Sequence, residues 1–228
     1  KHRRRQRQMC IRDRLIFFGY LSAEINWSDP NECKLPDHSI FVNKIISNMT
    51  LEQKVGQIIM PEINSITPEE AKIFFLGTIL NGGGGYPNQI KNSSIQDWKN
   101  LSKSYYEASP EVNGIKIPIL WGTDAVHGHN NVIGATIFPH NIALGATRNE
   151  KLIKKIGGAV AKEVSSTGIV WTFAPTIAVP QNDLWGRTYE GYSENPDLVT
   201  QLGKNFILGL QGELSLIHIS EPTRQLQI

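Results

Sequence analysis

Apolar residues recur along this chain at two spacings, and the changes between them mark its elements. Steps of three and four, the spacing of one helix face, run from Ser39 to Asn48. Thr50-Leu51-Glu52-Gln53 then has the form of a capping box opening a helix, with Leu51, Val55, Ile58 and Ile59 on one side. Thr67-Pro68-Glu69-Glu70 predicts another start, with proline at the first helical position. A short apolar run, Gly77 to Leu80, reads as a strand leading into Asn81-Gly82-Gly83-Gly84-Gly85. A helix follows near Ile95–Glu107, then a strand from Ile117 to Trp121. Asn149 is placed to cap a helix carrying Ile153, Ile156, Val160 and Val164, with Gly168 to close it. Ile169 to Ala178 reads as a third strand. Asn195-Pro196 opens a last helix with Leu198, Leu202, Phe206 and Leu210 along one face and Gly212 at its end. Strands alternating with helices, each strand followed by a polar loop, predict an α/β fold on a parallel sheet, with about three βα units visible.

Composition first points elsewhere. The 228 residues are 40% hydrophobic and 19% charged, an ordinary globular balance, and no run of about 18 apolar residues could span a membrane. Two cysteines make no disulfide framework or zinc ladder. The net charge of +2 suggests an anionic partner such as nucleic acid until the charges are located. Residues 1–14 (KHRRRQRQMCIRDR) hold seven of the 23 basic residues against one acid, Asp13.

That stretch has an explanation in DNA. Arg4 to Arg14 back-translates to a string containing GATGTGTATAAGAGACAG, which resembles a transposon-type sequencing adapter. Leu214 to Arg224 (LSLIHISEPTR) back-translates to a string beginning CTGTCTCTTATACACATC, the reverse complement of the first. Two ends of one protein have no reason to encode each other's complementary strand. Residues 1–14 and 214–228 are therefore expected to be adapter-derived read-through, outside any fold. The remainder holds 15 basic and 19 acidic residues, about −4, so no nucleic-acid partner is expected. Residues 15–34 read as an irregular lead-in, and 35–213 as part of one domain whose gene continues further.

Candidate chemistry lies in two loops, each after a strand's C-terminal end, where parallel α/β folds carry their sites. The first is Trp121-Gly122-Thr123-Asp124-Ala125-Val126-His127-Gly128-His129-Asn130-Asn131. The second is Trp185-Gly186-Arg187-Thr188-Tyr189-Glu190-Gly191-Tyr192-Ser193-Glu194-Asn195. Carboxylates accept from neighbouring hydroxyls, a guanidinium donates to another pair, and indole or phenol faces pack on the C–H side of a pyranose. That composition suits a sugar, and it equally suits a charged side chain bracing a long loop. His127 and His129 form an HxH pair, but no third ligand is near and Gly128 argues for a loop, so no metal or other cofactor is expected. Gly82–Gly85 opens no GxGxxG helix and is read as a bend letting sugar approach the backbone.

Taken together, the words MTLEQKVGQIIM, GTILNGGGG, WGTDAVHGHNNVIGATIFPHNIALGAT, TFAPTIAV, WGRTYEGYSEN and LQGE resemble glycoside hydrolase family 3, in order and spacing. DAVHGHNN resembles its β-glucosidase and β-glucan exohydrolase branch rather than its N-acetylglucosaminidase branch. The resemblance implies a (β/α)8 TIM barrel, of which this chain holds the opening part behind a short helical lead-in. It implies that Asp124 binds hydroxyls of the innermost sugar and that Arg187 shares that sugar. Glu190, Tyr192 and Trp185 are read as support. The family's Lys-His pair, nucleophilic aspartate and acid/base carboxylate would all fall beyond Glu213, so no catalytic residue is expected here. The substrate implied is a β-glucoside or β-glucan, and the family favours a periplasmic or extracellular location. Two departures stand out: Gln181-Asn182-Asp183-Leu184, where the family more often has an Asp-Pro pair and an arginine, and Asn195 in place of an acid. A non-catalytic sugar-binding barrel and a phosphate-binding barrel enzyme of another class remain the alternatives.

Overall fold

The computed structural model describes residues 38–212. The readings for 1–14, for the whole lead-in (15–34) and for 214–228 lie outside the described residues. Helices α1 (Ser39–Ser47), α2 (Leu51–Ile58) and α3 (Pro68–Ile73) come first. Thr50 and Thr67 each accept the amide of the third helical residue, Gln53 or Glu70, whose side chain returns to the cap amide. Both capping boxes close as their spacing requires.

Strand β1 (Thr78–Asn81) leads through a 3-10 turn at Pro87–Gln89 to α4 (Ile95–Glu107). A hairpin of β2 (Glu111–Val112) and β3 (Ile115–Lys116) follows, and the chain re-enters the sheet as β4 (Leu120–Thr123). Helices α5 (Asn141–Ala146) and α6 (Glu150–Ser166) lead to β5 (Trp171–Thr172), and α7 (Pro196–Gln211) ends the described chain. β1, β4 and β5 form one parallel sheet in that order, with Asn81 beside Thr123 and Gly122 beside Trp171. On the far edge Ile63 donates to the Leu80 carbonyl and Leu80 to that of Pro61, adding a fourth parallel position. Parallel strands joined through helices are the opening of a β/α barrel.

Two strands differ from their apolar runs. The run from Ile117 pairs only from Leu120, because Pro118 has no N–H and Ile117 spends its own on the Pro110 carbonyl. The run from Ile169 is a strand only at Trp171–Thr172. Phe173 still donates to Thr123, but Ala174 turns back to the Thr172 hydroxyl and Pro175 has no donor. The β2–β3 hairpin and α5 were not expected at all. Asn113-Gly114 carries the hairpin with both residues at positive φ, the type I′ arrangement.

One face of the sheet is packed by helices. Trp121 lies 6.0 Å from Trp98 and 5.7 Å from Tyr105, ring to ring, both on α4. α6 buries Ile153, Ile156, Val160 and Val164, the four residues its spacing selects. α7 buries Leu202 and Phe206 together with Val199 and Gly203, so its seam is rotated from the predicted stripe and leaves Leu198 and Leu210 half-covered. α6 and α7 meet backbone to backbone, since a Cβ on Gly157 would strike the Phe206 carbonyl and one on Gly209 that of Lys154.

Candidate sugar-binding site

Side chains alternate along a strand, so with Trp121 and Thr123 turned toward the helices, Gly122 and Asp124 face the other way. The rings of Trp171 and Phe173 lie over Gly122, where a Cβ would come within 2.6 Å of Phe173. Asp124 therefore stands at the C-terminal end of the sheet, above an aromatic floor. Its carbonyl accepts the Thr172 hydroxyl at 3.1 Å, which ties the end of β4 to β5. Its carboxylate points at the glycine run, with Oδ2 3.9 Å from where a Gly82 Cβ would stand.

That run is held from both sides. The buried Asn131 donates from Nδ2 to the Gly82 carbonyl at 2.6 Å. A Cβ on Gly85 would strike the Glu62 carboxylate, which accepts the Asn64 amide at 2.7 Å. Two carboxylates, Asp124 and Glu62, thus flank the bend. Gly83 and Gly84 face open space.

Arg187 and Glu190 bracket the 3-10 turn Thr188–Glu190 after β5. The Arg187 Nε donates to Glu190 Oε1 at 2.8 Å and Nη2 to Oε2 at 2.6 Å, a bidentate clamp. Arg187 remains 65% exposed while the Glu190 side chain is 13% exposed, so the guanidinium is the outward member. The Arg187 hydrogen bonds hold the Glu190 carboxyl below the usual carboxylate range, against the opposing effect of burial. Glu190 in turn pushes the guanidinium up, and Asp124 adds in the same direction across the cleft. Trp185 is 41% exposed beside them. Tyr192 is not: its ring is buried in the core and its hydroxyl has no hydrogen-bond partner.

α5 pins this turn. The buried Asn141 donates from Nδ2 to the Glu190 carbonyl at 2.8 Å. His140 packs edge-on against Tyr189, with ring centroids 4.6 Å apart, and against His127 at 4.3 Å. Asn131, His140, Asn141 and Glu62 carry no role in the sequence reading. Asn141 at a helix start was the one local signal; the others gain their roles only through folding.

The HxH pair divides. His127 turns toward His140 and Glu190, while His129 enters the core 5.8 Å from the Trp98 ring. Among the described residues no three His, Cys, Asp or Glu side chains converge on a metal position. His129 Nε2 lies 2.9 Å from the Thr167 hydroxyl, whose proton goes to the Val164 carbonyl at 2.7 Å, so Nε2 carries the hydrogen. Burial pushes this imidazole down to about 4. The unfolded chain takes the proton near the ordinary pKa of about 6.5, while the folded chain resists until about 4. Stability from this group is therefore full above about pH 6.5 and falls as pH drops, by about 3 kcal/mol in total at pH 4. His129→Gln keeps a donor for Thr167 without the titration. Its unfolding free energy should lose this part of the acid slope, read from urea melts between pH 7 and pH 4.5. An unchanged slope would mean that His129 is not the buried neutral group.

Comparison with known proteins shows the family. The family model described as "Glycosyl hydrolase family 3 N terminal domain" matches residues 50–221. The exo-1,3/1,4-beta-glucanase of a Pseudoalteromonas species superposes with a TM-score of 0.71 and 49% identity, over 78% of this chain and 22% of that one. A lysosomal beta glucosidase of Dictyostelium discoideum is 32% identical over 207 residues, 85% of this chain and 25% of that protein. A periplasmic beta-glucosidase of Salmonella typhimurium is 25% identical over 76% of this chain and 21% of its own length. The chain thus spans about a quarter of the length of the curated relatives it matches. Family model, fold and loop motifs coincide: the chain belongs to glycoside hydrolase family 3 and corresponds to part of the family's N-terminal domain.

Proposed function

We propose that this segment forms the wall of the innermost sugar subsite in a retaining β-glycosidase acting on terminal glucose of β-glucosides or short β-glucans. What supports this reading is Asp124 at the C-terminal end of the parallel sheet beside an open glycine bend, with the outward-facing Arg187 on the next loop within reach of its charge. Asp124 accepts hydrogen bonds from two adjacent sugar hydroxyls. Arg187 has five N–H donors, of which Glu190 takes two, leaving three for the same sugar. Trp185 offers an exposed indole edge of the cleft, and Tyr192 supports the loop from the core. Acidic side chains on both sides of the glycine run favour a neutral polyol over a phosphate ester.

The reaction itself needs two carboxyls about 5–5.5 Å apart, one as nucleophile and one as acid then base. We assign both to parts of the full-length protein outside residues 38–212, so this segment binds and orients without performing the displacement. The relatives' names add support: they are a lysosomal and a periplasmic β-glucosidase and an exo-glucanase. They also favour a secreted or lumenal location, and among the described residues no helix is long and apolar enough to cross a membrane.

The test is glucose inhibition of the full-length enzyme on a chromogenic β-glucoside. Arg187→Ala should raise the glucose Ki by about 10- to 100-fold, the loss of charge-assisted hydrogen bonds worth roughly 1.5–3 kcal/mol. Inhibition by a phosphate ester in place of glucose, or an unchanged Ki, would sink the sugar reading.

A further inference from the structure

The imidazoles of His127 and His140 take no part in the contacts assigned to the sugar, yet they lie against the turn that holds Arg187. His140 is edge-on to His127 on one side and to Tyr189 on the other, with centroids 4.3 and 4.6 Å apart. Tyr189 precedes Glu190, whose carbonyl is fixed by Asn141, the residue after His140. The Glu190 carboxylate is mostly covered and feels both imidazoles as well as Arg187. One atom of this cluster is unanswered: His127 Nδ1 is buried with no hydrogen-bond partner.

We propose that His127 and His140 are positioning residues: His140 packs the turn through Tyr189 and holds the His127 ring, and His127 leaves both Glu190 oxygens to Arg187 and so fixes the guanidinium that grips the sugar. The inference rests on the sugar-binding reading of Arg187. A neutral Nδ1 tolerates burial far better than a charged one. Once His127 gains a proton, a second cation stands beside Glu190. The carboxylate is then shared, the bidentate clamp opens, and Arg187 loses its fixed direction.

The groups facing His127 are the His140 ring and the Pro139 backbone at the start of α5 and Glu190 on the turn after β5; Tyr189 meets His140, and Arg187 meets Glu190. Burial and the neighbouring His140 hold the His127 imidazole below its usual value, while Glu190 opposes them. Neutral His127 is therefore the form at neutral pH, and any loss of sugar affinity falls on the acid side.

The experiment measures the Ki of D-glucose at pH 7.5 and pH 5.5 in the full-length enzyme, with His127→Phe, His140→Phe and Arg187→Ala. Each variant is compared with wild type at the same two pH values, so the ratio of the two Ki values isolates His127. Wild type should bind glucose about fivefold more weakly at pH 5.5, roughly 1 kcal/mol. His127→Phe should bring that ratio toward one, while His140→Phe, which removes a neighbour that disfavours charge on His127, should keep or enlarge it. His127→Gln, uncharged and capable of hydrogen bonding, supplies the same readout where the phenyl ring disturbs folding. A wild-type ratio retained in the His127 variants while Arg187→Ala still weakens glucose overturns this inference alone. An Arg187→Ala enzyme with unchanged Ki at both pH values overturns the sugar reading and this inference with it.

Discussion

Asp124→Ala should lower kcat/KM of the full-length enzyme by about 10²–10⁴-fold while leaving its melting temperature nearly unchanged. The carboxylate stands exposed at the end of β4, and among the described residues it accepts no hydrogen bond of its own. What ties this residue into the fold is its backbone carbonyl, which receives Thr172 and survives the substitution. Two charge-assisted bonds to sugar hydroxyls are worth roughly 1.5–3 kcal/mol each, and their non-additivity brings the loss to about 3–5 kcal/mol. At about 1.4 kcal/mol per decade that is the stated range. Arg187 also loses the negative charge facing it across the cleft, which adds to the effect on binding. A structural aspartate would behave in the opposite way, melting early and hydrolysing normally per folded molecule. Melting temperature and kcat/KM measured on one preparation separate the two.

The helices of this chain were legible because their ends are written in local chemistry. Thr50, Thr67, Asn149 and Asn195 cap as their spacing implies, and α4 keeps the bounds read from its apolar pattern. Strand limits were less legible, because a strand ends where its neighbour stops offering partners, and that is a tertiary fact. Pro118 and Pro175 were visible in the runs that they shorten. α5 escaped because six residues containing Gly145 carry too little periodicity to register. Asp124 and Arg187 stood out by composition, by position after strands and by the resemblance. The supports around Arg187 did not: His140 and Asn141 lie far along the chain from Glu190, and only folding brings them together. Buried polar residues such as these must be paired, so they are where a single sequence conceals most of the site's construction.

The dependence of the site on α5 can be tested at Gly145, where one methyl group should be costly. A Cβ there would strike the Tyr192 carbonyl oxygen and lie 2.6 Å from its carbon and 3.0 Å from its Cα. All of these are backbone atoms, so no flexible side chain can yield. Alanine ordinarily stabilises a helix over glycine by about 0.5–1 kcal/mol. Overpacking against backbone costs about 1–3 kcal/mol or more, so the clash wins and Gly145→Ala should destabilise by roughly 1–2 kcal/mol. The displaced segment begins two residues after Glu190, whose carbonyl α5 also holds. Arg187 should move with it, and a misplacement near 1 Å costs up to about 10²-fold in kcat/KM. Gly158→Ala on α6 is the control, since its Cβ would meet only the Gly209 carbonyl at an ordinary 3.7 Å. That variant should melt at or slightly above wild type with normal activity. If Gly145→Ala instead melts with the control and hydrolyses normally, α5 and the loop segment at Tyr192 do not meet as described, and the support beneath Arg187 must lie elsewhere.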